Sequence, residues 1–136
     1  MRTAIDSSVV LDVLLADPRH AARSEAALRR CAAEGALIVG ESVVAEIVPA
    51  LGGRESEVGH LWREWGVEFV PSTEKSAALA GRMFGTYLAR RRTAGPRRVV
   101  PDFLIGAHAV LLADRLLARD RGYYRDYFKG LDLIEP

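Results

Sequence analysis

The chain has 136 residues, of which 49% are hydrophobic and 27% charged, and this composition favours a single globular domain over residues 1–136. A net charge of +1 provides no overall field that would attract nucleic acid, and no apolar run approaches the roughly 20 residues needed to cross a bilayer. The first residues do not resemble a signal peptide, and the single cysteine, Cys31, cannot form an internal disulfide. We therefore expect a cytoplasmic protein in which Cys31 is a structural thiol.

The first half of the chain alternates between strand and helix patterns. Residues 2–5 predict a short strand, and Ser7 and Ser8 are predicted to provide N-cap hydroxyls for the apolar helix that follows. Gly35 is predicted to end a second helix. The elements after the first helix are predicted at 18–34 (helix), 36–39 (strand), 42–48 (helix, capped by Ser42) and 54–65 (helix).

The second half continues the same alternation. Its elements are predicted at 66–70 (strand), 74–92 (helix), a helix that begins at Pro101 and Asp102, 116–118 (strand) and 131–134 (strand). Strands that alternate with helices favour an α/β fold with a mainly parallel sheet and right-handed crossovers.

Four acidic residues are predicted to meet at one edge of this sheet. Asp6 ends the first strand, Glu46 lies about one turn into the helix after the second, and Asp120 follows the strand at 116–118. Asp102 begins a helix that runs antiparallel to that strand, so it starts at the same edge. Ligands of open parallel sheets bind at the carboxyl ends of the strands, which makes this edge the candidate site.

Each acid also has a structural interpretation. Asp102 could cap its helix, Asp6 could be a turn residue, and Asp120 could pair with a neighbouring arginine. Glu46 is harder to explain structurally, because its neighbours in the helix are almost all apolar. That all four acids meet at one edge by chance is less probable than any one of these interpretations taken alone, so the four together favour a shared site.

A cluster of carboxylates needs a compensating cation or shared protons. Two unit charges about 4 Å apart repel by roughly 4 kcal/mol at an effective dielectric constant near 20. Oxygen ligands without His or Cys favour Mg²⁺ or Mn²⁺ over zinc. The three histidines show no ligand spacing, and His108 is predicted to be a packed helix residue. Such a metal site suits phosphoryl chemistry.

Basic residues flank the acidic ones. Arginines precede Asp102 and surround Asp120, and these positions are predicted to contact the backbone phosphates of RNA: Arg91, Arg92, Arg97, Arg98 and Arg121. A solvated basic surface is the alternative for the same residues.

The segments around the four acids, AIDSSVVLDVLL, ESVVAEI, PDFLIGAHA and RLLARDRGYYRDYF, resemble PIN-domain ribonucleases, specifically the VapC-like toxins of bacterial toxin–antitoxin pairs. The resemblance implies a PIN-like three-layer α/β/α sandwich with a mainly parallel sheet of four to five strands. It implies endoribonuclease activity in which a water activated by Mg²⁺ or Mn²⁺ hydrolyses RNA phosphodiester bonds. The residues to which it assigns catalysis and metal binding are Asp6, Glu46, Asp102 and Asp120, with site support from Ser7 and Ser8.

The resemblance also implies a homodimer and inhibition by a small cognate antitoxin protein. One position departs from the family pattern, because Ala118 stands where many relatives have threonine two residues before the fourth acid. Ala118 therefore leaves a second interpretation open, in which the chain is a catalytically weak or inactive module that binds RNA or a protein partner.

Two other protein classes, one of phosphatases and one of signalling domains, fit the sequence less well. A haloacid dehalogenase-type phosphatase needs a second Asp two residues after the first, and that position is Ser8. A receiver-type phosphoacceptor domain needs a pair of acids near the first strand and a suitably placed lysine, and neither Lys75 nor Lys129 is well placed.

Overall fold

The structure, a computed structural model, describes residues 1–91, 99–119 and 122–136. A five-stranded sheet lies at its centre, with the strand order β3-β2-β1-β4-β5. Every neighbouring pair of strands is parallel. The strands are β1 (Arg2–Ile5), β2 (Ala36–Val39), β3 (Val67–Phe69), β4 (Arg115–Leu117) and β5 (Leu133–Ile134).

Helices connect these strands and flank the sheet. A short 3₁₀ helix, Val48–Leu51, follows the third α-helix. The α-helices are α1 (Ser7–Leu14), α2 (Ala21–Glu34), α3 (Glu41–Ile47), α4 (Ser56–Trp65), α5 (Glu74–Arg90), α6 (Val100–Leu112) and α7 (Tyr123–Tyr127).

The strand order creates a switch point between β1 and β4. From β1 the chain moves outward through β2 to β3, and it then returns to place β4 on the other side of β1. Right-handed connections therefore put α1 to α4 on one face of the sheet and α5 and α6 on the other. The contacts agree, since α1 packs on α2 and α5 packs on α6. Crevices for ligands form at such switch points, beyond the carboxyl ends of the strands.

The core fills both faces of the central strands. Residues of β1, β2 and β4 are almost all buried, as expected for parallel strands covered by helices on both sides. Helix α6 is also buried over most of its length, and Gly106 lets it approach α7. A Cβ atom on Gly106 would lie 2.3 Å from the Phe128 ring, so only glycine fits there. Across the described ranges, no helix combines the length and apolar character needed to cross a membrane.

The predicted α/β fold with a parallel sheet is confirmed, and the five strands agree with the four to five expected. The predicted capping is wrong at two helices. Asp6, not Ser7 or Ser8, is the N-cap of α1, and Gly40, not Ser42, precedes α3. Because an aspartate directly after the strand already offers a cap oxygen, the two serines become the first residues of the helix. Helix α7 was not predicted.

Candidate functional site

Asp6 lies at the end of the central strand and caps α1. Its main-chain N–H donates to the Leu117 carbonyl at 2.9 Å, which continues the β1–β4 pairing. Its Oδ2 accepts the main-chain N–H of Ser8 at 3.0 Å, and the Ser8 hydroxyl donates to the same oxygen. Asp6 is 7% exposed. The carboxylate is therefore held at the switch point with little freedom.

Tyr124 donates a hydrogen bond to the other oxygen of Asp6. Its hydroxyl lies 2.5 Å from Oδ1, and the residue is 1% exposed. Burial, with the negative charge of Asp6 as a smaller cause, raises the pKa of Tyr124 well above its usual value, so the phenol stays protonated and donates. The adjacent Tyr123 donates to the main-chain carbonyl of Asp102 at 3.3 Å. Helix α7 thus contacts two of the predicted acids.

Glu46 experiences the charge of both other described acids. Partial desolvation is the largest cause that raises its pKa, and the negative charges of Asp6 and Asp102 raise it further. A hydrogen bond from Ser7 acts in the opposite direction. Glu46 remains accessible to solvent. Asp6 and Asp102 are therefore near enough to Glu46 for their charges to act on it.

Asp102 lies in the first turn of α6, two residues after Val100, where the helix begins. The N-cap residue is Val99, and Oδ2 of Asp102 accepts the Val99 main-chain N–H at 3.2 Å. The carboxylate thus reaches back to the cap position from within the helix, where a negative charge also suits the helix dipole. The prediction that Asp102 itself occupies the cap position is wrong by three residues.

The donor set suits a hard divalent cation, although its fourth member is not described. Carboxylate oxygens are the ligands that Mg²⁺ and Mn²⁺ prefer. Burial is the largest cause of the raised pKa of Glu46, and a cation would balance the smaller part that the negative charges of Asp6 and Asp102 add. Within residues 1–91, 99–119 and 122–136, no three Asp, Glu, His or Cys side chains are close enough to hold a metal by themselves. Asp120, the predicted fourth ligand, lies outside the described residues.

An open pocket of about 280 Å³ adjoins Asp6 and Asp102. Two first-turn serines of α1, one arginine after β4 and both tyrosines of α7 contribute to its wall. Its lining residues are Asp6, Ser7, Ser8, Leu11, Asp102, Arg119, Tyr123 and Tyr124. The predicted support role of Ser7 and Ser8 thus corresponds to positions on the wall of the pocket.

An ion pair that the sequence did not reveal adjoins this pocket through Arg119. Asp12, which is 3% exposed, accepts two hydrogen bonds from the Arg119 guanidinium, both at 2.9 Å. The Ser24 hydroxyl donates to Asp12 at 2.7 Å, so the pair joins α1, α2 and the end of β4. Asp12 is a lone acid in an apolar helix, which is the same signal that singled out Glu46.

The predicted RNA-binding arginines are mostly outside the described part of the chain. Arg91 is exposed just after α5. Four others, Arg92, Arg97, Arg98 and Arg121, lie outside the described residues.

Two residues predicted to be structural are confirmed as buried. Cys31 is 1% exposed. His108 is 4% exposed and donates from Nε2 to the Val70 carbonyl at 2.6 Å.

Comparison with solved structures identifies the fold. A chain of the VapBC2 complex from Rickettsia felis, bound to a DNA fragment from its promoter, matches with a TM-score of 0.73 at 16% identity, over 100% of this chain and 99% of that one. The chain has the PIN-domain fold. A chain of FitAB bound to the IR36 DNA fragment matches with a TM-score of 0.63 at 21% identity, covering 98% and 94% of the two chains.

A third match has the same PIN fold. It is a chain of FitAcB from Neisseria gonorrhoeae, with a TM-score of 0.65 at 20% identity, over 97% of this chain and 96% of that one. No family model matches the sequence, and no curated protein matches it significantly. At these identities the likeness extends to the fold, so function must be argued from the site.

Proposed function

We propose that this chain is a metal-dependent endoribonuclease and the toxin component of a VapBC-type toxin–antitoxin pair. The metal is Mg²⁺ or Mn²⁺, held by Asp6, Glu46, Asp102 and Asp120. The observation that carries this proposal is the convergence of Asp6, Glu46 and Asp102, from three distant segments, at the switch point of a PIN-domain sheet. Three like charges at one edge repel one another, and a bound cation would offset that repulsion.

The three described acids reach the proposed site from different elements. Asp6 is held rigidly, because both of its oxygens accept hydrogen bonds. Glu46 is accessible and adds charge from α3, and Asp102 adds charge from the first turn of α6. A divalent cation bound to these carboxylates would activate water and offset the charge of the scissile phosphate. Arg91 and the neighbouring arginines are proposed to bind the RNA backbone.

The partner proposed for the chain is a small antitoxin protein. The solved structures that share the fold belong to the VapBC2, FitAB and FitAcB complexes, and this supports a protein partner for the present chain. A homodimer is also proposed. Its basis is the resemblance of the sequence to VapC-like toxins.

The test is cleavage of total RNA by the purified, partner-free chain with Mg²⁺ or Mn²⁺. The variant Asp102→Asn removes one carboxylate charge and keeps an oxygen that can accept the Val99 N–H. The matched control is Asp132→Asn, which changes an exposed aspartate just before β5, at the opposite edge of the sheet. We expect discrete fragments from the wild type and the control, and none from Asp102→Asn or after addition of EDTA.

Two results would contradict the proposal. Cleavage that survives EDTA would exclude a metal-dependent reaction at these acids. Absence of cleavage by a folded chain that binds Mn²⁺ would favour the module that binds RNA or a protein partner, and RNA binding by the same preparation would then be measured.

A further inference from the structure

Tyr124 contacts Asp6 in a way that a packing role alone does not require. The hydroxyl lies 2.5 Å from Oδ1 of a carboxylate that lines the pocket, although the tyrosine itself is 1% exposed. Its ring lies against the Tyr123 ring at a centroid distance of 4.1 Å and a tilt of 33°, and a phenylalanine at position 124 would keep that ring contact. The hydroxyl therefore adds a specific bond to a predicted metal ligand.

The hydrogen bonds of Asp6 leave one side of the carboxylate for a further ligand. An ionised carboxylate offers about four lone-pair positions, two on each oxygen. From the described residues, Oδ2 receives two donors, the N–H and the hydroxyl of Ser8. Oδ1 receives the phenol of Tyr124. By this count, one lone pair remains, and it belongs to Oδ1.

The three donors come from two sides of the carboxylate. Ser8 belongs to α1, the helix that Asp6 caps, and it donates only to Oδ2 of Asp6. The terminal torsion of an aspartate is broad, so one held oxygen leaves rotation of the group only partly restricted. Tyr124, from α7, holds the second oxygen and thereby restricts that rotation.

We propose that Tyr124 is a positioning residue that fixes the Asp6 carboxylate so that Oδ1 binds the divalent cation with its remaining lone pair. This inference rests on the proposed function. Partners that hydrogen-bond to metal ligands typically change metal affinity or activity by 10- to 100-fold when they are removed. The contribution of Tyr124 is therefore measurable as metal affinity, without any RNA.

The experiment measures Mn²⁺ affinity of the full chain by calorimetry, for the wild type, Tyr124→Phe and Tyr127→Phe. Tyr127 belongs to the same helix and packs its ring on Phe103, so its variant controls for loss of a hydroxyl from α7. We expect about tenfold weaker binding for Tyr124→Phe and wild-type binding for Tyr127→Phe. The stability of each variant is measured by urea unfolding, so that a folding defect is seen separately.

The outcomes separate this inference from the proposed function. If the wild type binds Mn²⁺ and Tyr124→Phe binds it equally well, Tyr124 is only a packing residue and the inference is wrong. If the wild type binds no Mn²⁺, the proposed function and the inference are both wrong.

A second measurement does not depend on the folding of Tyr124→Phe. The chain has four tyrosines, so wild-type protein labelled with fluorotyrosine gives four ¹⁹F resonances, which single Phe variants at the other three positions assign. Titration with Mg²⁺ is expected to shift the Tyr124 resonance most and the Tyr127 resonance little. A Tyr124 resonance that Mg²⁺ leaves in place would overturn the inference.

Discussion

The ion pair between Asp12 and Arg119 provides a stringent test of the packing behind the site. The variant Arg119→Met keeps most of the side-chain length and removes the guanidinium. It leaves the Asp12 carboxylate 3% exposed, with Ser24 as its remaining hydrogen-bond donor among the described residues. An uncompensated buried charge is expected to destabilise the fold, because the carboxylate cannot regain its hydration without local opening.

The size of the effect follows from the burial of the two partners. Removal of one partner of a buried ion pair costs about 3–5 kcal/mol, and the 27% exposure of the Arg119 side chain places this pair at the lower end, about 3 kcal/mol. For a domain of this size that corresponds to a decrease in Tm of about 10 °C. Urea unfolding monitored by circular dichroism measures the free energy of unfolding, with an unchanged m-value expected.

A double-mutant cycle isolates the interaction itself. Asp12→Leu and Arg119→Met together remove both charges, so the double variant should recover much of the stability that Arg119→Met loses. A loss below about 1 kcal/mol for Arg119→Met, or additive losses in the cycle, would show that the pair behaves like an exposed surface ion pair. The interpretation of Asp12–Arg119 as a buried ion pair that joins α1 to the end of β4 would then be refuted.

Three further predictions concern stability. Burial lowers the pKa of His108, so the unfolded chain takes up a proton near pH 6.5 that the folded chain does not. The free energy of unfolding should therefore decrease as the pH falls below about 6.5, and urea titrations should show a smaller decrease for His108→Gln. Gly106→Ala should cost about 1–3 kcal/mol by collision with the ring on α7, whereas Gly81→Ala, which meets nothing within 4 Å, should raise Tm slightly. Asp6→Ala should cost about 2 kcal/mol, because it removes the cap of α1 and the acceptor of Tyr124, and Asp6→Asn should cost less. Equal losses for the two Asp6 variants would contradict this assignment.

The order of strands and helices could be predicted from the sequence because most strand residues are apolar and each strand adjoins a glycine or an acid. β2 begins after Gly35 and ends before Gly40, and its predicted bounds match the structure. The N-cap residues of the helices could be assigned less reliably from the sequence. Asp6, Ser7 and Ser8 are all good N-cap residues in succession, and only the hydrogen bonds show that the first of them takes the role.

The positions of Asp6, Glu46 and Asp102 near one edge could be predicted because parallel topology places the end of β1 and the starts of α3 and α6 on the same side of the sheet. The sequence could not distinguish Glu46 from Asp12, since each is an acid whose nearest neighbours in its helix are mostly apolar. The distinction depends on what packs over each helix. Ser24 of α2 and the Arg119 side chain enclose Asp12, whereas Glu46 stays accessible beside the other acids.

The same reasoning explains why the roles of the two adjacent tyrosines in α7 could not be assigned. Consecutive helix residues point about 100° apart, so only one of them can reach the Asp6 carboxylate. The left-handed conformation of Gly122, with φ of 102°, sets where α7 begins and hence which tyrosine faces β1. A register shift of one residue could place Tyr123 where Tyr124 now lies, and no spacing rule in the sequence specifies that register.

Arg119 attaches the end of β4 to α1. Arg119, which directly precedes Asp120, donates its main-chain N–H to the Ser8 hydroxyl at 3.4 Å and its guanidinium to Asp12. Both acceptors belong to α1, the helix that Asp6 caps. The chain that leads into Asp120 is therefore attached to the same helix as Asp6. Loss of the Arg119 guanidinium should accordingly reduce Mn²⁺ affinity as well as stability, whereas Asp132→Asn should change neither.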